Sequence, residues 1–95
     1  MSVHAVVLIQ CEVDEISEAA QAIADIPGVS EVYSVAGEWD LVAIVRVPAH
    51  EDLASTIPGG IAKVEGVERT ETLISFQVYS RHDLERLFSI GFDEG

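Results

Sequence analysis

Apolar and polar positions along the chain switch between a period of two and a period near 3.6, and these switches mark its elements. Val3–Cys11 (VHAVVLIQC) is almost continuously apolar and rich in β-branched residues, the pattern of a buried central strand. Asp14 and Glu15 then open a helix, where acidic side chains meet the positive end of the helix dipole. Ile16, Ala19, Ala20, Ile23 and Ala24 form one apolar stripe at i, i+3, i+4, i+7 and i+8, and Pro27-Gly28 ends it. Val29–Ala36 (VSEVYSVA) predicts a second strand, with Val29, Tyr33 and Val35 on one face and Val32 and Ala36 on the other. Gly37-Glu38-Trp39-Asp40 is a turn, and Leu41–Val47 (LVAIVRV) is a third strand that Pro48 stops. So short a gap joins the second and third strands as an antiparallel hairpin.

A second helical pattern follows, with Leu53, Ile57, Ile61 and Val64 spaced by four, four and three, but Pro58-Gly59-Gly60 lies inside it. A mid-helix proline costs about 3 kcal/mol, which predicts a kink or two short helices with Pro58 opening the second. Val67–Tyr79 (VERTETLISFQVY) is the fourth strand, alternating Thr70, Thr72, Ile74, Phe76 and Val78 against Arg69, Glu71, Ser75 and Gln77. In the tail, Ser80 with Asp83 resembles a capping box, and Leu84, Leu87 and Phe88 fall at helical spacing. That stripe either covers the chain's own sheet edge or docks on a neighbour.

The order is thus β-α-β-β-α-β with an added short helix. Two strand–helix–strand halves, folded by the right-handed crossover rule, predict an α+β ferredoxin-like sandwich. The segments around Gly28 and Gly66 repeat weakly at the two helix-to-strand junctions and support this division. Strands one and three are expected at the centre, with both helices on one face. The other face, carrying Tyr33, Val35, half of strand one and part of strand four, is left apolar and bare, so a partner sheet is expected on it in a dimeric barrel-like assembly.

Composition narrows the function. Ninety-five residues make one domain, which buries only about 60–65% of the surface its unfolded chain exposes, so association would help it. Seventeen acidic residues against five basic ones give a formal charge of −12. Binding to nucleic acid requires a basic face, and this chain cannot build one; the same field disfavours anionic membranes. The start of the chain shows no secretory pattern, no apolar run reaches the roughly 20 residues of a membrane span, and the one cysteine excludes an internal disulfide, so a cytoplasmic location is expected.

The segment Pro27-Gly28-Val29 through Tyr33-Ser34-Val35-Ala36-Gly37-Glu38-Trp39-Asp40-Leu41 resembles the hairpin of Lrp/AsnC effector domains, also called RAM domains. Gly66-Val67-Glu68-Arg69-Thr70-Glu71-Thr72-Leu73-Ile74 is similar to that family's final strand, and the resemblance runs from about Val3 to Val78. It implies a ferredoxin-like fold, pairing through the sheets into dimers and rings of dimers, and amino acids or related metabolites bound in clefts between subunits. In longer members a helix-turn-helix domain converts that binding into transcriptional control. With strand one starting at Val3, the expectation here is a stand-alone effector domain over residues 1–79 with a C-terminal helix and tail over 80–95, acting through full-length regulators of the family. The proline break and the extra helix depart from the family pattern.

By that resemblance the ligand lies near the Gly-x-x-Asp turn and the start of the last strand, which gives Gly37, Glu38, Trp39, Asp40, Thr70, Glu71 and Thr72 as ligand-binding residues. The chemistry fits an α-amino acid. Gly37 lets backbone N–H groups approach a carboxylate, Asp40 accepts from an ammonium, Thr70 and Thr72 offer hydroxyls, and Trp39 offers an apolar wall. Glu38 and Glu71 favour a neutral or cationic ligand. The plain alternative is a hairpin turn in which Gly37 supplies a positive φ, Asp40 bonds backbone, and Trp39 anchors an interface.

No catalytic or metal-binding residue and no cofactor is expected. His4, His50 and His82 fall in separate elements without metal-ligand spacing, one cysteine cannot hold an iron–sulfur cluster, and Cys11 reads as a buried, inert thiol. Two other readings share the element order. A small dimeric monooxygenase or isomerase would need converging polar groups, and the strands offer mainly His4 and Arg46. An ACT-like regulatory domain would need glycines between strand one and helix one, where Glu12-Val13-Asp14-Glu15 stands.

Overall fold

The computed structural model describes residues 2–79. Among them four strands form one antiparallel sheet: β1 (Val3–Cys11), β2 (Val29–Ser34), β3 (Leu41–Val47) and β4 (Val67–Ile74), in the spatial order β2-β3-β1-β4. Helix α1 (Ile16–Ala24), entered through a 3-10 turn at Val13–Glu15, joins β1 to β2, and α2 (Asp52–Thr56) with a 3-10 turn at Ile61–Lys63 joins β3 to β4. The ferredoxin-like order and the central pair are those the sequence predicts.

Alternation decides what the sheet buries. Ala5, Val7, Ile9 and Cys11 of β1 and Leu41, Ala43, Val45 and Val47 of β3 point to the helical side and are buried there with Ala19, Ile23, Leu53, Ile57 and Ile61. This is the core. The residues between them, Val6 and Leu8 on β1 and Val42 and Ile44 on β3, pair across the sheet on the opposite face. Tyr33 stands beside Val42, and Leu73 beside Val6. Both are 49% exposed, and the four central side chains are half-buried. Among the described residues nothing covers this apolar face of the sheet.

Four expectations change in detail. A bulge between Val29 and Glu31 inserts one residue, so Val29 pairs with Val45 and joins Val32 on the helical side, not Tyr33 on the open one. β2 ends at Ser34, before Ala36. β4 ends at Ile74, opposite Ala5, with one further bond from the Ser75 N–H to the His4 carbonyl at 2.9 Å, so the predicted strand stops short of Tyr79. The second helical pattern is broken, but Pro58 does not open its second piece; residues 57–60 form a turn, closed by the Gly59 N–H bonding the Ala54 carbonyl at 3.0 Å. The predicted C-terminal helix with Leu84, Leu87 and Phe88 lies outside the described residues.

The weak repeat has a physical meaning. Gly28 and Gly66 each hold a positive φ, 100° and 95°, where a helix returns to a strand. Each also presses against the other half of the molecule: a Cβ on Gly28 would lie 2.7 Å from Thr56 Oγ1, and one on Gly66 would lie 2.7 Å from Glu15 Cβ. The two halves are thus packed crosswise through two glycines.

Candidate functional site

The hairpin turn does not stand free at the end of β2 and β3. It leans across the end of β1. The Asp40 N–H donates to the Ile9 carbonyl at 2.9 Å, and the Val35 N–H donates to the Asp40 carbonyl at 3.0 Å. The Asp40 carboxylate accepts from the Cys11 N–H at 2.9 Å, and the Gln10 side-chain amide donates to the Glu38 carbonyl at 2.9 Å. Trp39 is carried past β1 to β4, where the Arg69 guanidinium lies 4.9 Å over the centroid of its ring. Three strands meet in this corner, at one rim of the open face.

Gly37 has φ 134° and nothing within 4 Å of where a Cβ would stand. The glycine is required by the turn's backbone, and no described residue fills the space above it. Cys11, the last residue of β1, is buried, and its thiol is pushed up by that burial and then by the carboxylates of Asp40 and Glu68. Both effects disfavour the thiolate, the form a nucleophile needs.

Pairing register sorts the predicted site residues. Gly37, Glu38, Trp39 and Asp40 are together in the turn. Glu71 pairs with Leu8 and so shares the open face, as does Arg69 opposite Gln10. Thr70 and Thr72 pair with Ile9 and Val7, whose side chains face the helices, so these two threonines stand on the other side of the sheet. Thr72 lines a shallow hollow of about 370 Å³ with Ile74, Leu53 and Ile57 instead. Five of the seven residues are thus gathered at one rim, and two are not.

Arg69 is the residue that sequence reasoning passed over. The signal was available: alternation along β4 puts Arg69 and Glu71 on one face, and Arg69 is one of only five basic residues in a strongly acidic chain. Its contact with Trp39 was not legible, because it depends on the turn crossing β1.

Elsewhere the chemistry is local. The His4 ring is 2.9 Å from Ser2 Oγ, and the Tyr33 hydroxyl donates to Glu31 at 2.9 Å. Among the described residues no group of three or more His, Cys, Asp and Glu side chains is placed to hold a metal ion, and no helix is long and apolar enough to cross a membrane.

Comparison with known proteins fits this architecture. The family model described as the Lrp/AsnC ligand binding domain matches residues 4–84. The uncharacterised HTH-type transcriptional regulator PH1916 of Pyrococcus horikoshii is 44% identical over 59 residues, 62% of this chain and 39% of that protein. The match spans well under half the length of that protein and about half of other HTH-type regulators such as FL11 of Pyrococcus furiosus, which are named as regulators and not as enzymes. The crystal structure of TTHA0845 from Thermus thermophilus is 47% identical with a TM-score of 0.78, covering 83% of this chain and 99% of that one. The transcriptional regulator NMB0573 from Neisseria meningitidis, solved as an L-Met complex, is 12% identical with a TM-score of 0.73 over 83% of this chain and 53% of that one, a likeness of fold alone. With its element order, its sheet topology and nearly all of its described residues inside that match, this chain belongs to the Lrp/AsnC ligand binding domain family.

Proposed function

We propose that this domain is an effector-sensing module: two copies pair through their open sheet faces, and a small amino acid or related metabolite lodges at the rim of the pair. The observation that carries this reading is the apolar face of Val6, Leu8, Val42, Ile44, Tyr33 and Leu73, left uncovered by the described residues, with the Gly37–Asp40 turn at its edge. An apolar face of this kind is costly in water and self-complementary in a two-fold pair. Covering it turns an open corner into a crevice walled by Trp39 and Glu71, with the Gly37 backbone facing open space. Thr70 and Thr72 reach only a ligand that extends round the β4 edge to the helical side.

The class of ligand is supported by the fold's use in NMB0573, solved with L-Met. In this reading the bound metabolite favours one assembly over another and so biases transcription through full-length regulators of the family, since a ligand shifts an equilibrium only by its differential affinity. The test is a thermal-shift screen of the twenty amino acids, each hit followed by sizing with and without ligand. A ligand at 100 times its Kd stabilises by about 2.7 kcal/mol. Failure of all twenty to shift the midpoint contradicts the sensing role and leaves an oligomerising scaffold.

A further inference from the structure

Resting on the site reading above, we infer that Arg69 is the carboxylate anchor of the rim, held ready by Trp39, and that the site selects neutral or cationic α-amino acids over dicarboxylic ones. The Arg69 guanidinium sits 4.9 Å over the centroid of the Trp39 ring, and among the described residues none of its five N–H donors makes a hydrogen bond. The ring contact thus biases the position of an exposed guanidinium without using its N–H donors. A planar fork with free donors matches the two oxygens of a carboxylate, a pairing a lysine ammonium cannot reproduce.

The surroundings set the charge selection. Arg69 and Glu71 stand two residues apart on the same face of β4, roughly 7 Å along the strand, while the Glu38 carbonyl is tied to Gln10, the residue opposite Arg69. The Arg69 cation beside the carboxylate of Glu71, with those of Asp40 and Glu68 close by around Cys11, is complementary to a zwitterion: Arg69 takes the α-carboxylate and Glu71 the α-ammonium. A second carboxylate on the ligand would meet Glu71 and the chain's net charge of −12 with no further cation assigned to it. An aliphatic or basic side chain meets Trp39 and the neighbouring sheet face instead.

Trp39 is also the chain's one tryptophan, so its emission reports directly on this corner. The experiment uses the full chain and titrates each of the twenty L-amino acids and, for each binder, its α-amide, reading Trp39 fluorescence. Wild type, Arg69→Met and Arg69→Lys are compared, with the mass and thermal midpoint of each variant measured alongside. The expected results are binding of neutral or basic amino acids with a change in emission, at least tenfold weaker binding of the α-amide, and at least tenfold weaker binding to Arg69→Met at unchanged mass and midpoint. Arg69→Lys recovers part of the affinity. Equal affinity of wild type and Arg69→Met, equal affinity for acid and amide, or tight binding of aspartate or glutamate overturns the inference while leaving the rim site standing. No binding by wild type to any of the twenty overturns the site reading itself, and this inference with it.

Discussion

The carboxylate of Asp40 accepts a hydrogen bond from the backbone N–H of Cys11 at 2.9 Å, which latches the β2–β3 turn to the last residue of the central strand. The Gly-x-x-Asp spacing thereby has a structural role whether or not a ligand is present. Replacing Asp40 by Ala leaves a part-buried N–H without its charged acceptor and is expected to cost about 1–3 kcal/mol. Asp40→Asn keeps an acceptor oxygen and is expected to stay closer to the wild-type thermal midpoint. It also removes one of the negative charges that hold the Cys11 thiol up, so Cys11 should react faster with a disulfide reagent at pH 8 in Asp40→Asn than in wild type. Equal midpoints for wild type and Asp40→Ala would contradict the latch.

Gly66 and Gly28 set the distance between the two halves. Alanine at Gly66 meets Glu15 Cβ and must also hold φ 95°; alanine at Gly28 meets Thr56 and Val47 and must hold φ 100°. Each substitution is expected to cost upwards of about 1 kcal/mol from the backbone alone, before the contact is counted. Chemical denaturation of Gly28→Ala and Gly66→Ala measures this, with Gly37→Ala as the comparison that has strain without a clash. Gly37→Ala should be the mildest of the three.

The partly buried Glu15 carries a pKa raised by burial and then by Glu65, Glu12, Glu18 and Asp14 around it. A raised folded pKa means that the native state favours the protonated form. Its stabilising contribution is fully present below the unfolded pKa and is lost as the pH rises through the folded one. At neutral pH the charged Glu15 therefore works against the fold. Glu15→Gln should raise the thermal midpoint at pH 7, with the gain shrinking as the pH falls towards the ordinary glutamate range and as salt screens the neighbours. A variant less stable than wild type at pH 7 would show that the carboxylate is doing something else.

Much of this was readable from the chain. β1, α1 and β3 fall where alternation and the helical stripe put them, because each is a run whose buried face is written in consecutive residues. Both bulges escaped, since a bulge belongs to a pair of strands and not to one: the shift beside Val29 exchanged its face, and another near Cys11 set which residues of β4 oppose β1. The site was half legible. Gly37–Asp40 is contiguous, but whether Thr70 or Arg69 shares its face depends on β4 register, and the Trp39 stack on Arg69 depends on a turn crossing a strand.

Val42 lies at the middle of the open face, between Leu8 and Tyr33. A charge there is tolerated by the monomer, where the position is half exposed to water, but not in a sheet-to-sheet contact, where it would be desolvated without a partner. Val42→Glu is expected to keep the circular-dichroism spectrum and to shift the assembly towards monomer. An unchanged mass distribution would place the interface elsewhere.

The most direct measurement is the mass of the wild-type chain in solution at micromolar concentration, by light scattering or sedimentation. The account predicts a species of at least twice the 10.3 kDa chain mass, in even multiples. A single 10.3 kDa species, with its apolar sheet face in water, would contradict it.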